Sequence, residues 1–336
     1  MDNAKNIVLN KRLRAGIFNA EAIRLKKLLP TLSVALSLFL HLFVPDQQKV
    51  ASNQVYSIVL TIFLVYYFIR FAIGSVRPGT RWDNKLGEQA PLISAVFLLS
   101  ALWELCTQKL ALFPMPYFPS QVKVLDGLIN DFFNLSISAV YSFRLLVIGF
   151  ALGTVLGLIT GILMGWNQRF RYWANPVLRI LGPIPSTAWI PIVLVIFPTS
   201  FTASIFLLVL ASWFPVTVMT WTGIANVNKS YFEVAKTLGA NEKYLIAKVA
   251  IPAAFPSIFT GLFMGTGTSF VTLIVAEMLG VKAGLGFYIT WAQGWGEYYK
   301  VYAALFIMAL LFSGIITLLF KARDKVLVWQ KGLIKW

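Results

Sequence analysis

The chain has 336 residues, of which 58% are hydrophobic and only 12% are charged, with a mean hydropathy of +0.74. A soluble domain carries about 25% charged residues, so this composition excludes an ordinary soluble protein and indicates an all-α protein that crosses a membrane several times. One cysteine and one histidine exclude a disulfide framework and a histidine-rich metal centre. The formal charge of +16 could suit nucleic acid, and its distribution along the chain decides that question below.

The first part of the chain combines basic residues with two apolar runs. The runs at 28–44 and 55–73 predict two membrane spans after a basic N-terminal stretch. No signal-peptide cleavage site follows the first run. Because Pro78 and the adjacent glycine break the helix after the second span, we expect an N-terminal extension over 1–88 and a separate six-span domain over 89–336.

Six further spans bring the predicted total to about eight. They cover residues 91–112, 138–166, a fifth that ends near 197, 201–224, 256–279 and 301–320. Prolines at 183, 185 and 191 predict that regular helix is interrupted at the start of the fifth span. An interfacial segment is expected at 121–135, and an outer loop before the last span.

Small and isolated polar residues inside these spans have simple interpretations. Five glycines recur at every fourth residue of the fourth span, at Gly149, Gly153, Gly157, Gly161 and Gly165. Such a stripe allows another helix to approach closely, and a pathway lined by exposed glycine backbone is the alternative. The single histidine, His41, and the single cysteine, Cys106, are interpreted as packing residues.

The basic residues alternate with the spans. Most of the 29 lysines and arginines fall in five segments on one side of the predicted topology, including the N-terminal stretch and the C-terminal tail. By the positive-inside rule these segments are cytoplasmic, so both termini are expected in the cytoplasm. Topology therefore accounts for the charge, and no nucleic-acid partner is expected.

A charged stretch at 231–252 separates the sixth and seventh spans. Its apolar side chains recur at helical spacing at Tyr231, Val234 and Leu238. Gly239 suits the left-handed end of that helix, and Asn241 is a good N-cap for a second one. The sequence therefore predicts a helix, a sharp turn and a helix, with a further helix beginning at Pro256. An amphipathic helix lying on anionic lipid is the alternative interpretation.

This stretch resembles the cytoplasmic signature of the membrane subunits of ATP-binding-cassette (ABC) importers. The signature is Glu-Ala-Ala, three residues, Gly, nine residues and Ile-x-Leu-Pro, and it is matched by Glu233, Val234, Ala235, Gly239 and Pro252 with only small or apolar exchanges. In that family the loop is the coupling helix, which docks in a groove of the ATPase subunit. The resemblance implies that Glu233 and Gly239 fix the shape of the loop and do no chemistry.

Three other stretches are similar to the nitrate, sulfonate, taurine and bicarbonate group of these importers. They lie at 142–153, 183–192 and 276–286. Two departures from the family pattern, Pro198 and Phe270, fall where we expect the outer half or the pathway, so they bear on the solute more than on the mechanism.

The resemblance implies a permease subunit of an ATP-driven importer in the plasma (inner) membrane, and not an enzyme. No GxxxxGK[ST] loop is present, so no cofactor is expected on this chain and ATP is expected on a separate subunit. The implied partners are cytoplasmic ABC ATPase subunits, an extracytoplasmic solute-binding protein, a second copy of this chain and membrane lipid.

Four residues are candidates for the translocation pathway: Arg144, Thr268, Thr272 and Glu277. Charged groups inside spans are rare enough to indicate function, although snorkelling to the interface explains Arg144 and Glu277 equally well. Two other classes of protein stay open, namely a membrane assembly protein whose loop docks a different partner, and a secondary transporter. The latter usually needs buried ionisable residues, which the spans largely lack.

Overall fold

A computed structural model describes residues 25–48, 54–113 and 115–330, and these residues form helices and turns with no strand. Most of the basic N-terminal stretch, part of the turn after the first span and the last residues of the basic tail lie outside the described residues. The helices are α1 Leu25–Phe43, α2 Gln54–Val76, α3 Arg81–Glu104, α4 Gln121–Asn130, α5 Phe132–Trp166, α6 Gln168–Leu181, α7 Ile190–Ile196, α8 Ser200–Ala225, α9 Lys229–Thr237, α10 Glu242–Tyr244, α11 Ile251–Leu279, α12 Leu285–Gly294 and α13 Tyr298–Val326.

Within the described residues, seven helices are long and apolar enough to cross a membrane. An eighth span is obtained when Gln168–Leu181 and Ser186–Ile196 are counted together, although the two are bent by 83°. The predicted all-α architecture of about eight spans is therefore confirmed. The bend lies at Gly182 to Pro185, within the proline-rich segment that predicted an interrupted fifth span.

Two helices begin earlier than predicted. Helix α3 starts at Arg81 instead of residue 91, because the Oγ1 of Thr80 accepts a hydrogen bond from the backbone N–H of Asp83 and caps the helix there. Pro91 lies inside α3, where a surrounding helix tolerates it. Helix α5 starts at Phe132, so the predicted interfacial segment is shortened to α4.

Two segments predicted to be irregular are helical. The expected outer loop before the last span contains α12, whose Leu285 and Ile289 are buried. No new helix begins at Pro256, because helix runs from Glu242 to Leu279 with a π-helical turn over Leu245–Ala250. The π turn shifts the hydrogen-bond ladder just before Pro252, which has no N–H to donate, so helix continues past it.

The described residues form two compact units, one comprising the chain up to Asn130 with Gly296–Lys300, and the other comprising Asp131–Trp295 with the chain from Val301 onward. The predicted domain boundary near residue 88 stays a prediction. In the first unit, Ser37 donates a 3.1 Å hydrogen bond to the carbonyl of Phe97, which ties α1 to α3. Lys27 and Asp83 form an ion pair of 2.6 Å between the same helices.

The second unit is centred on the contact of α5 with α8. A Cβ atom at any of the five stripe glycines would lie 2.0 to 2.8 Å from atoms of α8. At Gly153 the nearest atoms are the Oγ of Ser212 and the carbonyl oxygen of Val209. Only glycine allows this approach, because real Cβ atoms do not come so close to neighbouring atoms. The packing interpretation of the stripe is confirmed.

Candidate functional site

The loop between α8 and α11 has the predicted shape. Asn228 caps α9 by accepting a hydrogen bond from the N–H of Ser230, and Gly239 ends the helix with φ of +83°. The N–H of Ala240 donates to the carbonyl of Ala235, and the N–H of Gly239 to that of Lys236, which is the Schellman arrangement. Glycine suits this position because other residues adopt positive φ only at a cost.

The second half of the loop returns the chain to the membrane. The side chain of Asn241 accepts a 2.9 Å hydrogen bond from the N–H of Tyr244, so Asn241 is the N-cap that the sequence predicted. Phe232 of α9 packs against the end of α5, where its ring lies 5.9 Å from the ring of Trp166. The loop is therefore fixed at its turn, at both caps and at one aromatic contact.

Exposed side chains cover the outer face of the loop. Tyr231, Val234 and Leu238 are 59%, 60% and 83% exposed, respectively. Within the described part of the chain, Glu233 is exposed and its carboxylate makes no hydrogen bond or ion pair. Glu233 therefore holds no part of the loop through a contact within the described residues, where the turn and the caps determine the backbone, and its role in fixing the shape of the loop stays a prediction. An apolar face with a free carboxylate is suited to contact another protein.

Glu277 is buried in a hydrogen-bonded node. Its carboxylate is 1% exposed and accepts from the hydroxyl of Ser142, at 2.7 Å, and from the N–H of Gly286, at 2.8 Å. The N–H of Leu285 donates to the same serine oxygen at 2.8 Å. Gly284 has φ of +103°, and a Cβ there would lie 2.3 Å from the carboxylate. The node joins α5, α11 and the start of α12.

The sequence did not identify Ser142 as a site residue, although it begins one of the stretches noted for resemblance, and Glu277 lies in another. Their contact joins the two stretches in the fold, and a buried carboxylate needs such donors in place. The third stretch meets α11 as well, because the hydroxyls of Ser186 and Thr272 are 2.6 Å apart. The three stretches thus meet at α11.

Thr268 and Thr272 line a cavity of about 490 Å³ between the bend of α6 and α7, α8 and α11. Ser186 and Thr187 add two more hydroxyls, and the remaining walls are mostly apolar. The hydroxyl of Thr268 donates to the carbonyl of Ala211 at 2.8 Å, so it also links α11 to α8. No charged side chain lines this cavity within the described residues.

The structure therefore does not bring the four predicted pathway residues together. Arg144 is exposed, and its guanidinium lies 5.5 Å from the centre of the Phe201 ring. Neither Arg144 nor Glu277 lines the hydroxyl-lined cavity. Phe270, which was expected to face the outer half or the pathway, instead stacks on Phe312 at 3.9 Å in the apolar core. The spacing of residues along α11 did not predict which face of this helix lines the cavity and which face is buried.

His41 is more than a packing residue. Its Nδ1 lies 2.6 Å from a carboxylate oxygen of Glu104, which is 1% exposed. Lys109 is 2% exposed and donates to the carbonyls of His41 and Val44 and to Asp46, each at 2.7 Å. This buried charge cluster joins the end of α1 to the end of α3. No local sequence pattern indicates this cluster, because its members are spread over more than 60 positions.

Comparison with known proteins identifies the class. The family of binding-protein-dependent transport system inner membrane components matches residues 153–327. A nitrate import permease of a Synechocystis strain is 30% identical over 253 residues, which is 71% of this chain and 87% of that protein. The chain belongs to this family of ABC importer permeases, and it is a transport component with several membrane-spanning helices.

Other relatives have different solutes in their names. A Bacillus subtilis protein named for aliphatic sulfonates transport is 34% identical over 56% of this chain and 66% of its own length. A bicarbonate transport system permease of Synechococcus elongatus is 32% identical over 55% of this chain and 64% of its own length. A chain from a structure of an inward-facing methionine ABC transporter superposes with a TM-score of 0.48 at 20% identity, covering 57% of this chain and 96% of that chain.

Proposed function

We propose that the importer to which this permease belongs carries a small anion, of the class of nitrate, sulfonate, taurine or bicarbonate, across the inner membrane. The relatives named for nitrate, sulfonates and bicarbonate support this class. The hydroxyl-lined cavity is compatible with it, since hydroxyls donate to an oxyanion and no carboxylate there repels one.

The loop from α9 to α10 is the proposed coupling element, and its geometry is the observation that carries the mechanism. Its backbone is fixed by the turn at Gly239 and by two asparagine caps, and it presents three exposed apolar side chains. A rigid apolar surface of this kind is suited to a groove on another protein. Docking of the ATPase would move α9, and α11 would carry the motion to Thr268 and Thr272.

The remaining partners follow from the same proposal. ATP binds to the ATPase subunits and not to this chain, and a solute-binding protein delivers the anion on the extracytoplasmic side. Two copies of the chain pair in the membrane, with both termini in the cytoplasm. The membrane spans then tilt between inward-open and outward-open states as the ATPase subunits close and separate.

Two other classes of protein explain the loop less well. A secondary transporter would use ionisable groups in its pathway for ion coupling, whereas the hydroxyl-lined cavity has none within the described residues. A membrane assembly protein would need the loop but not the cavity. A preference of the loop for anionic lipid would require no particular turn at Gly239, which separates that alternative experimentally.

The test is Gly239→Val in the reconstituted complex of permease, ATPase subunits and binding protein. Valine at φ of +83° is strained by about 1 kcal/mol or more, although nothing lies within 4 Å of a Cβ there. We expect the ATPase subunits to co-purify poorly and both uptake and solute-stimulated ATP hydrolysis to fall, while the permease still inserts. Gly239→Ala should have a smaller effect.

Ala240→Val is the matched control, because it adds the same side chain to the next residue without a positive φ. Full uptake and normal co-purification of the Gly239→Val complex would contradict the docking role and favour the lipid-surface interpretation. Competition between nitrate, a sulfonate and bicarbonate for uptake identifies the anion.

A further inference from the structure

A second cavity, of about 560 Å³, adjoins the hydroxyl-lined cavity, and Gly182 and Phe214 line both. A Cβ atom at Gly182 would lie 2.2 Å from Cε2 of Phe214, so the ring closes directly against the glycine. This contact of α8 with the bend after α6 is the wall that the two cavities share.

Three polar side chains line the second cavity: Asn175, Arg179 and Trp221. All three carry N–H donors, and no carboxylate is among the lining residues. Within the described residues, Asn175 and Arg179 make no hydrogen bond or ion pair. The indole N–H of Trp221 is buried and has no partner there either. The cavity therefore gathers several donors and the positive charge of the exposed Arg179, and the amide oxygen of Asn175 is the one acceptor among these three side chains.

Such a set of donors is suited to bind a small oxyanion. A guanidinium presents two parallel N–H groups that match two oxygens of a planar or tetrahedral oxyanion, and charge-assisted hydrogen bonds of this kind are stronger than neutral ones. The amide N–H groups of Asn175 and the indole of Trp221 donate without adding negative charge. A cationic ligand would find a repelling charge and no carboxylate in this cavity.

We propose that Arg179, Asn175 and Trp221 form a binding site for a small oxyanion, with the guanidinium of Arg179 pairing two of its oxygens. The site lies beyond the Phe214 wall from the hydroxyl-lined cavity. Its identification with a resting point of the transported solute rests on the proposed function. The headgroup of an anionic lipid has the same oxyanion chemistry, and the experiment separates the two sources.

Cysteine reactivity tests the site directly. Cys106 is the single cysteine, so Cys106→Ala gives a cysteine-free chain, and Val218→Cys then places a thiol in the wall of the second cavity. The importer complex is reconstituted in discs of phosphatidylcholine and treated with anionic and cationic methanethiosulfonates. We expect Arg179→Gln to lower the anionic-to-cationic rate ratio about tenfold, because it removes the local positive charge. Arg169→Gln, the same change on α6 outside this cavity's lining, should leave the ratio unchanged.

Binding is measured as protection of the same thiol. Nitrate should slow the labelling more than chloride at equal ionic strength, and Arg179→Gln should abolish that protection. Arg179→Lys should weaken it several-fold, because lysine keeps the charge and loses the two-pronged donor geometry. Protection that develops only in discs containing phosphatidylglycerol, without nitrate, would identify the occupant as a lipid headgroup.

A ratio that is unchanged in Arg179→Gln would overturn the site, and so would a ratio that changes without protection by nitrate or anionic lipid. In either case Arg179 is a surface charge of the positive-inside kind. Uptake of radiolabelled anions by the same complex is a separate readout. If none is transported while nitrate still protects, the proposed solute class fails and the binding site stands.

Discussion

In the second unit α5 and α8 meet over five glycines, whereas in the first unit α1 and α3 meet over a buried histidine, glutamate and lysine. The glycine contact brings two backbones together and gains dispersion and packing over the second half of α5, from Gly149 to Gly165. The charge cluster instead satisfies helix ends, since Lys109 donates to two carbonyls at the end of α1. One contact relies on shape and the other on polar groups that must all be present.

The difference teaches which kind of change each contact tolerates. A close-packed glycine seam fails when an atom is added, because the opposing backbone cannot retreat. A buried polar cluster fails when an atom is removed, because the groups that remain are charged and unpaired in a low-dielectric surrounding. Adding a methyl group therefore tests the glycine contact of the second unit, and deleting a charge tests the charge cluster of the first unit.

The largest effect is expected for Lys109→Met in the first unit. The change removes the donor to the carbonyls of His41 and Val44 and the positive charge 4.0 Å from the Glu104 carboxylate, and breaking one partner of a buried pair costs about 3–5 kcal/mol. The measurement is the thermal unfolding temperature of the detergent-purified chain. Lys85→Met is the matched control, because Lys85 is exposed and lies on α3, which continues into the π-helical turn Leu105–Lys109. Equal stability of the two variants would contradict the structural role of the cluster.

Gly153→Ala tests the seam of the second unit. The added Cβ would lie 2.0 Å from the Oγ of Ser212 and 2.7 Å from the carbonyl oxygen of Val209, so we expect a loss of about 3 kcal/mol from overpacking. Gly314→Ala on α13 is the control, because a Cβ there meets nothing within 4 Å. The same unfolding assay applies, and a stabilised Gly153→Ala chain would mean that α5 and α8 are free to separate.

Ser142→Ala tests whether the stability of the second unit also depends on the hydrogen-bonded node around Glu277. The change removes one donor to Glu277 and the acceptor of the Leu285 N–H, which should cost about 2 kcal/mol. Ser138→Ala, one turn earlier on α5, removes a hydroxyl that makes no hydrogen bond within the described residues. We expect reduced uptake along with reduced stability, because the node positions α12 at the end of α11. Identical behaviour of the two serine variants would leave glycine packing as the principal contact of this unit.

The sequence predicted the features that depend on local geometry. Gly239 and Asn241 were identified because a helix end and a helix start have residue preferences of their own, and the glycine stripe because its period is that of a helix face. The pairing of Ser142 with Glu277 joins residues 135 positions apart, and no local pattern reports such a contact. The bend after α6 likewise places the exposed Arg179 at the edge of the second cavity, and no local sequence pattern reports that bend's direction.

Helix is continuous from Glu242 to Leu279, so the second half of the loop and the wall of the hydroxyl-lined cavity lie on one rod. At 1.5 Å per residue, Thr272 lies about 36 Å along this rod from Lys248, in the π turn. Rotating the rod by about 5° at its base would displace Thr272 by about 3 Å, roughly the width of one water molecule. If the loop docks the ATPase as proposed, a small rotation at its base would become a larger displacement where the hydroxyls line the cavity, and a flexible π turn would reduce that displacement.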